Sequence, residues 1–360
     1  MILYLSLTAA VLVLAVFVNN QIKSGAGIVT RQQLCGYVLL AGMFLLLAGV
    51  SACRLGVGND YGEYLQIFEN LSQSRHVSTE IGFNAVVLLV QYFFGTGDVA
   101  ARVIFAVFAF GTVFFFLRAI YDQSKWFWYS IFLFMMQGYF FNSMTQVRYY
   151  FVLSIALYAM KYVQQKRWTV FVLWILFAAL FHKTVLFVLP VYFAATWAFK
   201  KWHALPIAGF CATLLLFPEF YRRLIFLIYP FYENSLFDTG TTSVINIVKS
   251  LGVLVLCLLY YKQAIQGDEV NRFYFYLNIG ALLLYICCSF MPVISRMGYY
   301  MNISNLFLIP GVLQKIPDKK QKLFFVTATT AAFALYFAAF LYKAYEMDIR
   351  LLPYTDWIFH

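Results

Sequence analysis

Charge is what this sequence has least of. Only 11% of its 360 residues are Asp, Glu, Lys or Arg, and the acidic side chains number 15 against 26 basic ones. A soluble domain of ordinary composition carries about twice that charge, so a soluble fold is excluded. Long polar stretches are missing as well. The longest non-spanning ones, near 54–80 and 218–241, leave no room for a separate soluble domain. Cysteine is sparse: Cys35, Cys53, Cys211, Cys257, Cys287 and Cys288 lack CxxC spacing and histidine neighbours. That argues against a zinc site and leaves packing as their role. No GxGxxG, Walker loop, HExxH or GxSxG is present, so no short motif announces a cofactor or a metal. Internal repeats and low-complexity tracts are absent too.

What is there is hydrophobic. The apolar fraction is 63% and the mean hydropathy is +0.77. Apolar runs of roughly 14–20 residues recur along the chain between short polar turns, which predicts membrane helices. Strands of a membrane barrel would be shorter and would alternate. The expected fold is therefore all-α, a polytopic transmembrane helical bundle forming a single integral membrane domain over 1–360. The segment 1–19 has no basic n-region and no small-residue cleavage site, and is expected to be a retained first span. A net charge of +11 invites a nucleic-acid partner. The basic residues, however, sit in short loops, as cytoplasmic loops do. Lipid is the expected surrounding, not nucleic acid.

Four basic loops, 161–167, 200–203, 262–272 and 315–322, are assigned to the cytoplasm. Parity then places Arg148, His182 and Arg296 at the opposite, outer ends of their helices. Arg148 opens the helix of 142–161 behind Asn142, Ser143, Thr145 and Gln146. A charge at membrane depth is costly and persists where it faces a bundle interior or a wet cavity, or where it snorkels to the interface. Upstream, Lys23 and Arg31 place the first loop inside, and 54–80 and 95–101 fall outside. Between them, Ile81–Phe94 is about 21 Å long at 1.5 Å per residue, short of a roughly 30 Å core. It is read as re-entrant or interfacial, with a plain span of different parity as the competing reading. The total is about twelve full spans with both termini outside, plus an outer-face segment over 54–94. Within that segment, from Tyr61 on, the apolar residues Tyr61, Tyr64, Leu65, Phe68 and Leu71 have the spacing of an amphipathic helix lying on the outer surface, and Asn59 or Asp60 can cap it. The tail 351–360 has the aromatic content of an interfacial anchor.

The expected outer face gathers distinct chemistries. Arg54, Arg148 and Arg296 are candidates to bind a diphosphate, since guanidinium groups fork onto phosphate oxygens. His182 is the candidate general base. Asp60 is its rival, and with Glu63 on the same helix face it could instead hold a divalent metal. With three arginines available, neither a metal nor a cofactor is needed. Glu63, Tyr64, Glu80, Gln146 and Tyr299 are candidate sugar contacts. Plainer roles stand beside these: interfacial anchors for the arginines, a backbone-bonded turn for His182, a helix cap for Asp60, and packing for Tyr64, Tyr299 and Tyr300.

Five stretches, in order, carry a resemblance: Arg54 followed by GNDYGEYLQIF, then EIGFNAVVLLVQYF, QVRYYFVLSIALYAMKYV, FHKTVLFVLPVYF and SRMGYYMNI. Together the chain resembles the EpsG family, Wzy-like polysaccharide polymerases. Lys183 and Tyr149 depart from the family's commoner residues. The resemblance implies a GT-C type glycosyltransferase of the bacterial plasma membrane. It would polymerise exopolysaccharide, capsule or O-antigen repeats at the outer face. Its substrates would be oligosaccharides on undecaprenyl diphosphate, and its partners a flippase and a chain-length regulator. Other readings are an O-antigen ligase or another lipid-linked sugar transferase, a flippase, or a non-catalytic polysaccharide-binding scaffold. A flippase would be expected to show paired halves and midplane charge.

Overall fold

Apolar segments can satisfy their backbone polar groups inside lipid only as helices or closed barrels, and helices are what form here. The structure is a computed structural model that describes residues 1–18, 30–228, 243–291, 294–347 and 349–358. Lys23, the positions 229–241 and the last two residues of the expected tail anchor lie outside the described residues. Among the described residues there are no strands, only an isolated bridge between Arg54 and Asp356.

The chain divides into two compact units, residues 1–186 with 317–360, and residues 187–316. The first unit holds α1 (Ile2–Val16), α2 (Arg31–Cys53), α3 (Tyr61–Ser72), α4 (Ile81–Phe94), α5 (Asp98–Gln123), α6 (Phe127–Met136), α7 (Tyr139–Asn142), α8 (Val147–Gln164) and α9 (Trp168–Ala179). The second unit holds α10 (Val188–Ala195), α11 (Ala204–Leu216), α12 (Pro218–Ile228), α13 (Val244–Leu259), α14 (Glu269–Cys287), α15 (Ile294–Asn302) and α16 (Asn305–Gln314). The last helix, α17 (Lys319–Lys343), returns to the first unit. The spine of the first unit is α5, which packs against both α2 and α8.

Among the described residues, four helices are long and apolar enough to cross a membrane: α2, α5, α14 and α17. The α11–α12 pair, bent by 88°, makes a fifth if counted as one broken span. The expected dozen full spans is not reached on these criteria, because many apolar runs are short or interrupted. Gly138, at φ +74 in the left-handed region, separates α6 from α7 within the apolar run 126–141. The run at 184–199 is a 3-10 turn, Lys183–Phe187, followed by the eight-residue α10. The run at 297–314 is split at Ile303–Ser304, where the Ser304 hydroxyl bonds the Met301 carbonyl at 2.7 Å. At 1.5 Å per residue, α9 is only about 18 Å long and α4 about 21 Å.

Below that split, the second unit buries a polar network. The Asn302 side-chain amide donates to Ser250 Oγ at 3.0 Å and to the Tyr285 hydroxyl at 3.1 Å. Asn305 donates to Asn278 at 3.0 Å, and Asn278 to the Ser250 carbonyl at 3.0 Å. In an apolar surrounding such groups stay buried only because they partner one another.

In the first unit, residues 350–357 are stitched along 50–58. Leu55 N–H donates to the Thr355 carbonyl (2.9 Å), Trp357 N–H to that of Cys53 (3.1 Å) and Gly58 N–H to that of Arg350 (2.8 Å). Tyr354 and Trp357, expected as membrane anchors, bond the carbonyls of Val50 and Ala52.

Candidate active site

Glu80 is the junction of the site. It occupies the N-cap position of α4, yet its side chain makes no capping bond. Its carboxylate points instead at three groups from elsewhere in the chain. Oε2 accepts from Arg148 Nη1 at 2.5 Å; Oε1 faces His182 Nδ1 at 3.2 Å and accepts the Lys183 N–H at 3.1 Å. Three side chains separated by 68 and 102 positions from Glu80 to its partners are thus joined within one unit. They are 11%, 23% and 15% exposed for Glu80, Arg148 and His182, so solvent screens the pair only in part.

Local structure explains the convergence. The turn before α4 is closed by Thr79 and Asn84, whose side chains bond one another and whose amide reaches back to the Thr79 carbonyl. Gly82 then lets α4 rest on the 180–183 turn. Its N–H donates to the Leu180 carbonyl at 2.8 Å, and a Cβ there would lie 2.8 Å from both Leu180 Cβ and Leu180 O. Only glycine permits that approach, and His182 follows two residues after Leu180. Arg148 is the second residue of α8, as the sequence predicts. The Tyr64 hydroxyl accepts its N–H at 3.2 Å, and its guanidinium lies over the Phe83 ring at 5.3 Å. The Tyr149 ring stands edge-on to His182 at 5.9 Å.

Burial by itself pushes the Glu80 carboxyl up. The His182 hydrogen bond, the Arg148 charge and the Lys183 N–H outweigh it, and hold the group down to about 2. An ionised carboxylate only accepts, so Nδ1 of His182 must be the donor across that contact. A neutral imidazole then carries its lone pair on Nε2. Arg148 spends one N–H on Glu80 and keeps others, while its Nε is buried without a hydrogen-bond partner.

The other sequence candidates are placed as follows. Tyr64 is 5% exposed and packed among Phe68, Phe83 and Phe105. Gln146 is the half-buried N-cap of α8. Asp60 is the N-cap of α3 without a side-chain capping bond, and Glu63, one turn on, is exposed. Arg54 is 2% exposed, bonded to Ser51 and stacked 4.8 Å from the Phe105 centroid. Arg296 and Tyr299 are on α15, in the second unit. Among the described residues, no three His, Cys, Asp or Glu side chains are gathered as a metal ion requires.

A comparison with protein families matches residues 37–355, most of the chain, to the EpsG family. The chain belongs to the EpsG family. That is a family of Wzy-like polysaccharide polymerases, so membership supports a membrane protein of polysaccharide biosynthesis with a glycosyltransferase-like role. No curated protein and no solved structure matches the chain. Sequence reasoning counted Glu80 among the sugar contacts and passed over Gly82. The available signal was their position together, in EIG, at the start of a short apolar helix.

Proposed function

We propose that this EpsG-family chain polymerises lipid-linked oligosaccharide repeats at the outer face of the bacterial plasma membrane. The growing glycan passes from undecaprenyl diphosphate to a hydroxyl of the incoming repeat. The observation that supports this reading is the single carboxylate of Glu80 bonded to both Arg148 and His182. It joins a diphosphate-binding group and a base in one array.

In the proposed step, His182 Nε2 takes the proton of the acceptor hydroxyl. The acceptor oxygen bonds to the anomeric carbon of the growing chain, and the bond from that carbon to the diphosphate breaks. The leaving diphosphate carries the negative charge, which the free N–H groups of Arg148 stabilise. Glu80 touches neither reactant. It is a positioning residue that fixes the imidazole tautomer and the arginine fork. Its carboxyl, held at about 2, is too acidic to serve as the base. Asp60 as an alternative base remains part of the proposal on the strength of the sequence argument. A flippase and a chain-length regulator are the partners this reading implies.

Purified protein supplied with a lipid-linked repeat should yield a ladder of products. His182→Ala should abolish the ladder, while Asp60→Asn and EDTA should leave it. A single transfer to a different acceptor would point to a ligase, and movement of the lipid without transfer to a flippase. Full activity in His182→Ala removes it from the mechanism. Loss in EDTA restored by magnesium moves the chemistry to Asp60 and Glu63.

A further inference from the structure

The second unit contains a cavity of about 410 Å³ that the proposed chemistry does not use. It runs between α10, α11 and α14. Its volume is that of a small-molecule pocket, but its walls are almost wholly apolar. Small residues, Ala194, Ala195, Ala204 and Gly280, make the space. Gly280 is closed off behind by Met301, whose sulfur would lie 3.0 Å from a Cβ at that position.

One end differs from the rest. Lys200 and His203 line it, at the point where α10 has ended and α11 begins. The His203 Nδ1 accepts the Lys200 N–H at 2.8 Å, which fixes the imidazole beside the opening. Trp202, 66% exposed, lies against it with ring centroids 3.9 Å apart. Arg272 stands one turn before the lining residue Tyr276, paired loosely with the exposed Glu269 at 3.5 Å. An apolar slot with basic residues and an exposed tryptophan at one end has the polarity of a single lipid molecule. The positive-inside pattern assigns this end to the cytoplasm.

We infer that this cavity is a binding site for an anionic phospholipid of the cytoplasmic leaflet. One acyl chain lies between α10, α11 and α14, and the phosphate sits against Lys200 and His203. Charge complementarity decides the headgroup, since a zwitterionic lipid would bring its own cation to a basic mouth. The site is distinct from the Glu80 cluster and does not depend on the polymerase reading.

The test is native mass spectrometry of the full-length protein, delipidated and then titrated with phosphatidylglycerol or phosphatidylcholine of the same chains. Wild type should hold one phosphatidylglycerol in preference to phosphatidylcholine. Lys200→Glu should lower that preference about tenfold, because it reverses a charge at the headgroup. Ala194→Trp should exclude both lipids by filling the slot, and Lys319→Glu, in a different basic loop, should change nothing. Retained folding is checked by size exclusion, and Lys200→Glu, at an exposed position, carries the test if Ala194→Trp misfolds. Equal retention of the two lipids by wild type overturns the proposal. So does a preference that survives Lys200→Glu, and so does displacement of phosphatidylglycerol by farnesyl phosphate at equal concentration, which would make the slot a polyprenyl site.

Discussion

Replacing Gly82 with alanine tests whether the contact between α4 and the 180–183 turn sets the catalytic geometry. The new Cβ would lie 2.8 Å from Leu180 Cβ and from its carbonyl oxygen, where ordinary contact begins near 3.4 Å. Backbone is on both sides of the clash, so no side chain can simply rotate away. The two segments must separate by roughly 0.6 Å to restore normal contact. Glu80 stands two residues to one side of that contact and His182 two residues to the other. Their 3.2 Å separation would grow to about 3.8 Å, beyond hydrogen-bonding distance. Losing a hydrogen bond to a charged group costs about 1.5–3 kcal/mol. If that loss falls on the transition state, kcat drops by roughly ten- to 150-fold. Polymer ladders from purified protein, with kcat and KM separated, give the readout. Gly62→Ala is the control: on α3, no atom lies within 4 Å of its added Cβ, so it should be neutral or stabilising by about 0.5–1 kcal/mol. Wild-type kcat in folded Gly82→Ala, or an equal loss in Gly62→Ala, would refute the reasoning.

Glu80→Gln should lower both stability and turnover, and the stability difference should depend on pH. The carboxyl lies below its ordinary 4.5, at about 2, so its contribution is complete above pH 4.5 and is lost as pH falls through 2. The gap in melting temperature between wild type and variant should narrow as pH falls from 4.5 through 2; a gap that widens over that range contradicts the ion-pair network. Arg148→Lys keeps a charge but loses the fork, and should cut polymer about 100-fold with the protein still folded. Normal polymer would reduce Arg148 to an anchor. Asn302→Ala takes the Asn302 amide away from the Ser250 and Tyr285 hydroxyls and should destabilise the protein by about 1–2 kcal/mol, read by thermal unfolding in detergent; no change would mean the network is dispensable.

Helical class, the bounds of α4 and the placing of Arg148 at the head of α8 were legible because each rests on local pattern. Ile81–Phe94 is bounded by the polar Glu80 and by glycine, and apolar periodicity does the rest. The broken spans were not legible. The left-handed turn at Gly138 follows a single polar residue, Gln137, and the split at Ile303–Ser304 lies among Asn302, Ser304 and Asn305; averaged over the length of a span these polar positions are swamped by their apolar neighbours, and hydropathy is blind to backbone dihedrals. Leu65 was counted on the apolar face of α3 with Tyr61, Tyr64, Phe68 and Leu71, yet it is 38% exposed while the other four are buried. For the site, the residue types pointed to a diphosphate and a base, since those chemistries belong to arginine and histidine wherever they stand. The pairing through Glu80 was hidden. It depends on a contact between segments about a hundred residues apart, which a missing Cβ at Gly82 makes possible.

The strap of 350–357 along 50–58 bears on the order in which the protein is assembled. Its side-chain hydrogen bonds join residues 300 to 305 positions apart. At about 5–20 residues per second, a ribosome needs roughly 15–60 s to make that much chain. Through that interval the peptide groups of Cys53, Leu55 and Gly58 have no partner from the strap, and water or the insertion machinery must satisfy them. Arg54, whose own backbone bridges to Asp356, is held open for as long. The loop leading into α3 therefore closes only after α17 and the tail that follows it have been made.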